Sequence, residues 1–201
     1  MWNQRYSIEE YAYGTEPNDY LVAMSDQLPK GKVLCLAEGE GRNAVWLAEQ
    51  GHDVTAVDFS EVGLRKAKKL AKLRGVNIKT IHANLEDFDI GNQHWDAIVS
   101  IFAHMPSAMR MDLHKRCTTG LKIGGVFLLE AYTPFQLEYK TGGPATIDMM
   151  MDVSSLTAEL VGLDFFHLQE RIREVNEGLF HNGTGAVVQV LARKSRLIIR
   201  Q

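Results

Sequence analysis

Glu38, Gly39, Glu40 and Gly41 form one tight acidic turn, and Asp58 follows 19 residues after Gly39. Together these residues could hold a nucleotide. The glycines let the backbone turn sharply and let a ligand approach it closely. A helix that starts just after such a turn aims its unpaired N–H groups at whatever occupies the loop. An acid at the carboxyl end of the next strand can accept hydrogen bonds from ribose hydroxyls. The plainer alternative is a pair of glycines that only closes a strand-to-helix turn. The strand before, the helix after and the acid beyond weigh against it.

Gly39-x-Gly41-x-x-Ala44 with Asp58 also fits a dinucleotide fingerprint. The charge of the loop argues against that ligand. A pyrophosphate there would face Glu38 and Glu40, each contact costing roughly 1 to 4 kcal/mol depending on exposure. A nucleoside with a cationic end and no phosphate avoids the repulsion. S-adenosylmethionine (SAM) has a sulfonium, an ammonium and a ribose, so the loop favours SAM over NAD. A short NAD(P)-dependent oxidoreductase is the competing reading, and a SAM-binding protein without turnover is a third. Arg42 and Asn43 open the helix, where Arg42 is placed to pair with Glu38 or Glu40.

Hydrophobic periodicity outlines the elements that must hold these groups. Val33 to Ala37 is an apolar strand. A helix follows the loop and ends at Gly51, and Val54 to Val57 is a strand delivering Asp58. Ser60 is suited to cap a helix with Leu64, Ala67, Leu70 and Ala71 on one face. Lys66, Lys68, Lys69, Lys72 and Arg74 load that helix as a solvated face rather than a nucleic-acid patch, and Gly75 ends it. Ile78 to His82 leads to Asn84 and Leu85. Trp95 to Phe102 reads as a fully buried parallel strand that runs out to His104. Ser107 is expected to cap a helix over 108–119, and Val126 to Ala131 forms a strand that ends at Tyr132. Strands near Phe165–Glu174 and Ala186–Arg193, joined by residues 177–185, make a C-terminal hairpin. Upstream, Glu16-Pro17 starts a helix that Pro29-Lys30-Gly31 stops.

These elements predict a single α/β domain over residues 1–201, Rossmann-like and doubly wound. Its sheet is mostly parallel and seven-stranded, with a C-terminal antiparallel hairpin. Ligands of such sheets sit at the carboxyl ends of the strands, so Asp58, Asn84 and His104 share one rim. Residues 1–15, rich in aromatics, form either a lid or a docked terminus. The aperiodic segment 133–153 is expected to cover the substrate side, with Met149, Met150 and Met151 docking it to the body.

The central stretch resembles motif I of the class I SAM-dependent methyltransferases. The run GEGRNAVWLAEQGHDVTAVDFS is similar to the branch containing tellurite-resistance and thiopurine-type enzymes. The opening WNQRYSIEEYAYGTEPNDYL, the middle AYTPFQLEYKTGGP and the ending EGLFHNGTGAVVQVLARK agree. The chain departs from the family at Cys35 and Ala37, where an acid and a glycine are usual. The resemblance implies a methyltransferase acting on a small molecule such as a thiol, a selenol or tellurite, with S-adenosylhomocysteine (SAH) as product. It implies that Asn84 binds the adenine amino group, that Arg42 and Asn43 lie near the cofactor, and that Arg5 or Tyr6 reaches it from the lid. The cofactor set is then Glu38, Gly39, Glu40, Gly41, Arg42, Asn43, Asp58, Phe59, Ser60, Asn84, Leu85, Ile101 and Phe102. His104, Tyr132 and His181 are the candidates on the acceptor side.

Composition narrows the remaining possibilities. A content of 45% hydrophobic and 23% charged residues suits a globular protein with a sizeable core. A net charge of -3 gives no electrostatic case for nucleic acid or anionic membrane as a partner. Cys35 and Cys117 show neither metal nor redox spacing, so no metal and a reducing cytoplasm are expected. Asn182-Gly183-Thr184 matches a glycosylation sequon and is read as a turn. Monomer and homodimer are both open.

Overall fold

Strand β1 (Lys32–Leu36) is apolar at every position after Lys32, so both of its faces must be covered. In a computed structural model, which describes residues 2–195, they are. Val33 and Cys35 share a core with Leu21 of α2 (Asp19–Met24) and with Ala44 and Leu47 of α3 (Arg42–Glu49). Leu34 and Leu36 belong to the larger core beneath the opposite face. Leu113 and Cys117 of α5 (Ser107–Gly120) and Leu156 of α7 (Val153–Glu159) complete it. The alternation of side chains along one strand thus sets up the two helical layers.

The other strands are β2 (Asp53–Asp58), β3 (Lys79–His82), β4 (Trp95–Ile101), β5 (Leu121–Tyr132), β6 (Leu163–Glu177) and β7 (His181–Lys194). They form one seven-stranded sheet in the order β3-β2-β1-β4-β5-β7-β6. Strands β1 to β5 are parallel, and β7 runs antiparallel between β5 and β6. The doubly wound sheet with a C-terminal hairpin is as the sequence predicts. Strand order reverses between β1 and β4, so a crevice opens at their carboxyl ends.

Several boundaries move. Helix α2 starts after Asn18, whose side chain accepts from the Leu21 amide, and not at Glu16-Pro17. Ser60 does cap α4 (Glu61–Leu73), accepting from Gly63 N. Ser107 does not cap α5. It is the first helical residue, and the Asp148 carboxylate, 41 residues away, accepts from its amide and hydroxyl. Strand β5 begins at Leu121 and runs through Gly124 and Gly125, with a register shift opposite Trp95–Ala97. The hairpin strands are longer than expected, leaving a turn only at 178–180. Asn182 therefore pairs with Asn176 inside the ladder and is not in a turn. Segment 133–153 holds two short pieces, α6 (Gln136–Tyr139) and a 3-10 turn over Ile147–Met149. Met150 and Met151 are buried and dock it, as expected. No helix among the described residues is long and apolar enough to cross a membrane.

Candidate active site

A cavity of ≈ 630 Å³ occupies the crevice at the carboxyl ends of β1, β2 and β4. That is within the usual range for a small-molecule or cofactor site. Ala37 and Phe102, just past β1 and β4, both line it with left-handed backbone, φ 48° and 51°. Non-glycine residues adopt this conformation at a cost, and such strain gathers at ligand sites. Ala37 stands where the resembled family carries glycine, and the conformation explains that preference.

The two loop carboxylates are not equivalent. Glu40 is neutralised: Oε2 accepts from Ala12 N at 2.7 Å and Oε1 lies 2.5 Å from Lys66 Nζ. Glu38 has no Lys, Arg or His ion-pair partner among the described residues; its Oε1 accepts from the Ala44 amide at 2.7 Å, and the side chain lines the cavity. Burial raises the Glu38 pKa to about 7; the Ala44 amide and Arg42 oppose the rise, and Asp58 adds to it. Asp58 Oδ2 accepts from Gly39 N at 2.8 Å and Oδ1 from Ser60 N at 2.7 Å. Burial raises its pKa as well, against those two amides. Asn84 lines the same end beside Leu85, its Oδ1 accepting from Glu86 N at 3.1 Å. Phe59 lies at the mouth, 63% exposed.

The opposite end has a different character. Phe102, His104, Tyr13 and His181 present rings, and Met105, Met109 and Met149 add thioethers. Residues 143–146 close the side. His104 spans two strand ends. Its Nε2 accepts from Tyr132 N at 3.0 Å, so its Nδ1 carries the proton and donates to Phe102 O at 3.1 Å. Burial, followed by the nearby His181, lowers its pKa to about 3. Both nitrogens are engaged, so His104 offers the cavity a ring and no base. His181 packs against Tyr13 at 4.5 Å and Phe102 at 4.7 Å between centroids. Its Nδ1 lies 3.7 Å from Glu177 Oε2, inside ion-pair range and beyond a hydrogen bond. Burial lowers its pKa, with Glu177 opposing.

The N-terminal segment forms the roof. It carries one helical turn, α1 (Trp2–Arg5), and Trp2, Arg5, Tyr6, Tyr13 and Gly14 all line the cavity. It is also docked. Lys66 Nζ donates to Ile8 O and Glu10 O, and Leu179 N in the hairpin turn donates to Ala12 O at 2.9 Å. Arg5 donates to Tyr13 OH and stacks on Trp2 and Phe180. Cover and docked terminus are thus one structure.

The remaining sequence candidates separate. Gly39 and Gly41 are not among the residues that line the cavity. A Cβ on Gly39 would meet Tyr6 Oη at 2.5 Å, and one on Gly41 would meet Ala67 Cβ at 2.6 Å. The Cβ direction of Gly39 is thus filled by the roof and that of Gly41 by α4. Ser60 is fully buried at its cap, donating to Asn3 Oδ1. Tyr132 is 1% exposed and lies behind the rings of His104 and His181. Arg42 lines the cavity and pairs with Glu177 at 2.5 Å, with neither Glu38 nor Glu40. Asn43 lines it and accepts from Asn18 N, and Ile101 lines it beside Phe102. No cluster of three or more His, Cys, Asp or Glu side chains among the described residues could hold a metal.

Residues 33–125 match the family model described as a methyltransferase domain. The chain carries a methyltransferase domain's fold. It is 31% identical over 111 residues to the uncharacterised methyltransferase YbaJ of Bacillus subtilis, a stretch covering 55% of this chain and 44% of YbaJ. The chain thus spans less than half the length of that curated relative. Among solved structures, TehB from Haemophilus influenzae superposes with a TM-score of 0.71 at 22% identity, over 88% of this chain and 62% of TehB. An S-adenosylmethionine-dependent methyltransferase from Clostridium acetobutylicum superposes with a TM-score of 0.68 at 14% identity, over 89% and 90%.

Sequence reasoning missed the polar network behind this methyltransferase-fold crevice. Asn18 Nδ2 donates to Glu130 Oε1 at 2.9 Å and to Glu177 Oε1 at 2.8 Å. Arg173 donates to both carboxylates. The one available signal was a charged Glu130 within the otherwise apolar run Val126–Ala131.

Proposed function

We propose that the chain binds SAM in this cavity and transfers its methyl group to a small acceptor at the aromatic end. The observation that supports this best is the partition of the cavity. Glu38, Asp58 and Asn84 follow or end β1, β2 and β3, whereas the rings of Phe102, His104 and His181 come from β4 and β7, across the reversal of strand order. The residues suit the cofactor. Glu38, the loop carboxylate without a basic partner, would face its cationic end and supplies the acid that the family carries at Cys35. Asp58 would accept from ribose hydroxyls. Asn84 and Leu85 would receive the adenine, Ile101 and Phe102 would line its path, and Arg42 and Asn43 would hold the loop in place. Arg5 would reach the cofactor from the roof.

When bound, SAM supplies an electrophilic methyl on a sulfonium whose charge disappears on transfer. The chain's own contribution is alignment and exclusion of water. His181 is the group suited to take a proton from the acceptor, because burial keeps it neutral. Glu177 behind it would stabilise the imidazolium formed. His104 and Tyr132 shape the pocket. The apolar, thioether-rich surface favours a soft acceptor, a thiol, a selenol or a tellurite-derived species, in line with the family resemblance. Incubating the protein with SAM and a panel of small thiols and metalloid oxyanions should give a methylated product from at least one. Binding of SAM with no product from any would leave a binding protein without turnover.

Calorimetry with SAM, SAH and NADH tests the cofactor assignment, and its pH dependence tests Glu38. The free carboxyl titrates at about 7, against an ordinary value of 4.5. In the free protein its ionisation opposes folding, so its contribution to stability is full below 4.5 and is lost as the pH rises through 7. A cationic ligand selects the ionised form. Binding should therefore release a proton below pH 7, with affinity falling by on the order of tenfold per unit there and levelling off above. A pH-independent affinity would remove Glu38 from its role, and binding of NADH alone would overturn the assignment.

A further inference from the structure

Helix α5 carries two arginines outside the cavity, Arg110 and Arg116, and each holds the backbone of a different cavity wall. Arg116 Nη1 donates to Phe88 O at 2.8 Å, and Nη2 donates to Leu85 O at 2.8 Å and Glu86 O at 3.2 Å. Asp112, one turn earlier, accepts from Nε at 2.6 Å and sets the guanidinium plane. The segment so held has no regular structure and carries Asn84 and Leu85 into the cavity.

Arg110 acts on the other side. Its Nη1 donates to Asp148 O and Met150 O, each at 3.1 Å. Its Nε and Nη2 grip Glu159 of α7, which also contacts His114 Nδ1 at 2.7 Å. The Asp148 carboxylate returns to Ser107 at the start of α5. At the near end, Gln136 Nε2 donates to Thr141 Oγ1 and Gly142 O. Residues 143–147 thus hang between two anchors, and four of them, 143–146, line the cavity.

We infer that α5 positions the two halves of the cavity independently, Arg116 the wall around Asn84 and Leu85, Arg110 the wall at 143–149. Both are positioning residues; neither touches the cavity. The assignment of the first wall to adenine and the second to the acceptor rests on the function proposed above. The independence of the two anchors does not. A planar fork that satisfies three carbonyls, as Arg116 does, or two carbonyls and a carboxylate, as Arg110 does, has no equivalent in a single ammonium, so lysine is a partial replacement at either site.

The test is a crossed comparison of Arg116→Met and Asp148→Ala, read by amide hydrogen exchange and by SAH binding. Arg116→Met should speed exchange at 84–88, leave 143–150 as in the parent, and weaken SAH by about tenfold through a loosened adenine wall. Arg116→Lys should recover part of that loss. Asp148→Ala removes the carboxylate that ties this wall to Ser107 at the start of α5 and leaves the Arg110 bonds in place. Arg110→Lys, read in the same way, isolates the arginine's own share where Arg110→Met is at risk of losing the fold. Each should speed exchange at 143–150, leave 84–88 as in the parent, and change SAH affinity by less than about twofold. Exchange that rises in both walls for any of these variants, or in neither, overturns the independence. Unchanged SAH affinity in Arg116→Met overturns that residue's role. A parent protein that ignores SAH would sink the cofactor reading, and the exchange pattern would still decide this one.

Discussion

Arg173→Met is expected to lower folding stability by roughly 3 to 5 kcal/mol, the cost of leaving a buried charge without its partner. Glu130 is fully buried in β5, and Arg173, 9% exposed in its side chain, is the cation that meets it. The same guanidinium reaches Glu177 at 3.1 Å. Burial by itself would raise the Glu177 pKa, but Arg42 and Arg173 outweigh it and hold the carboxylate ionised. Two carboxylates and two guanidinium groups therefore balance around Asn18. Without Arg173, Glu130 keeps only the neutral donors Asn18 and Gln189. Urea unfolding should show a lower midpoint with an unchanged slope. The double variant Glu130→Gln with Arg173→Met should regain part of the loss, because the orphaned charge is gone. A shift below about 1 kcal/mol would mean the network is not the unit described.

The second large effect is expected at Asp58. Asp58→Ala should weaken SAH by about a hundredfold, close to 3 kcal/mol. Two losses combine in that figure. One is the proposed contact with the ribose. The other is the pair of backbone bonds, from Gly39 N at 2.8 Å and Ser60 N at 2.7 Å, that ties the acidic turn to β2. Bonds to a charged acceptor contribute about 1.5 to 3 kcal/mol each, so the turn that presents Glu38 should shift. Asp58→Asn keeps one carbonyl oxygen and should fall between the parent and the alanine variant. Thermal unfolding of all three separates loss of fold from loss of ligand contact. An alanine variant that melts earlier and binds SAH as the parent does would assign Asp58 to the turn alone.

The acidic turn, Asp58 and the rim that holds Asn84 and His104 were legible because a parallel α/β sheet delivers every strand's carboxyl end to one side. Which of the rim residues face the cavity was not. His104 stands where the strand order puts it, yet both its nitrogens serve backbone groups at the ends of β4 and β5. His181 lay in what reads as a turn, because Gly178, Asn182, Gly183 and Gly185 surround it. Extending the ladder to Glu177 and His181 brings that imidazole against Phe102 and Tyr13. Glu38 and Glu40 look alike in sequence. Lys66 and Ala12 distinguish them by neutralising only one.

The sequence by itself determined the seven strands, their order of appearance, the helices between them and the loop where charge collects. Those depend on periods of two and 3.6 residues and on turn residues, all of which act over a few neighbours. Tertiary structure alone decided the pairs that fix the site: Asn18 with Glu177 across 159 positions, Arg42 with Glu177 across 135, and Gly39 against Tyr6. Such contacts leave no local pattern. Their energy comes from desolvating groups that meet only after the sheet has closed, so the same residues are ordinary polar side chains until the chain is folded.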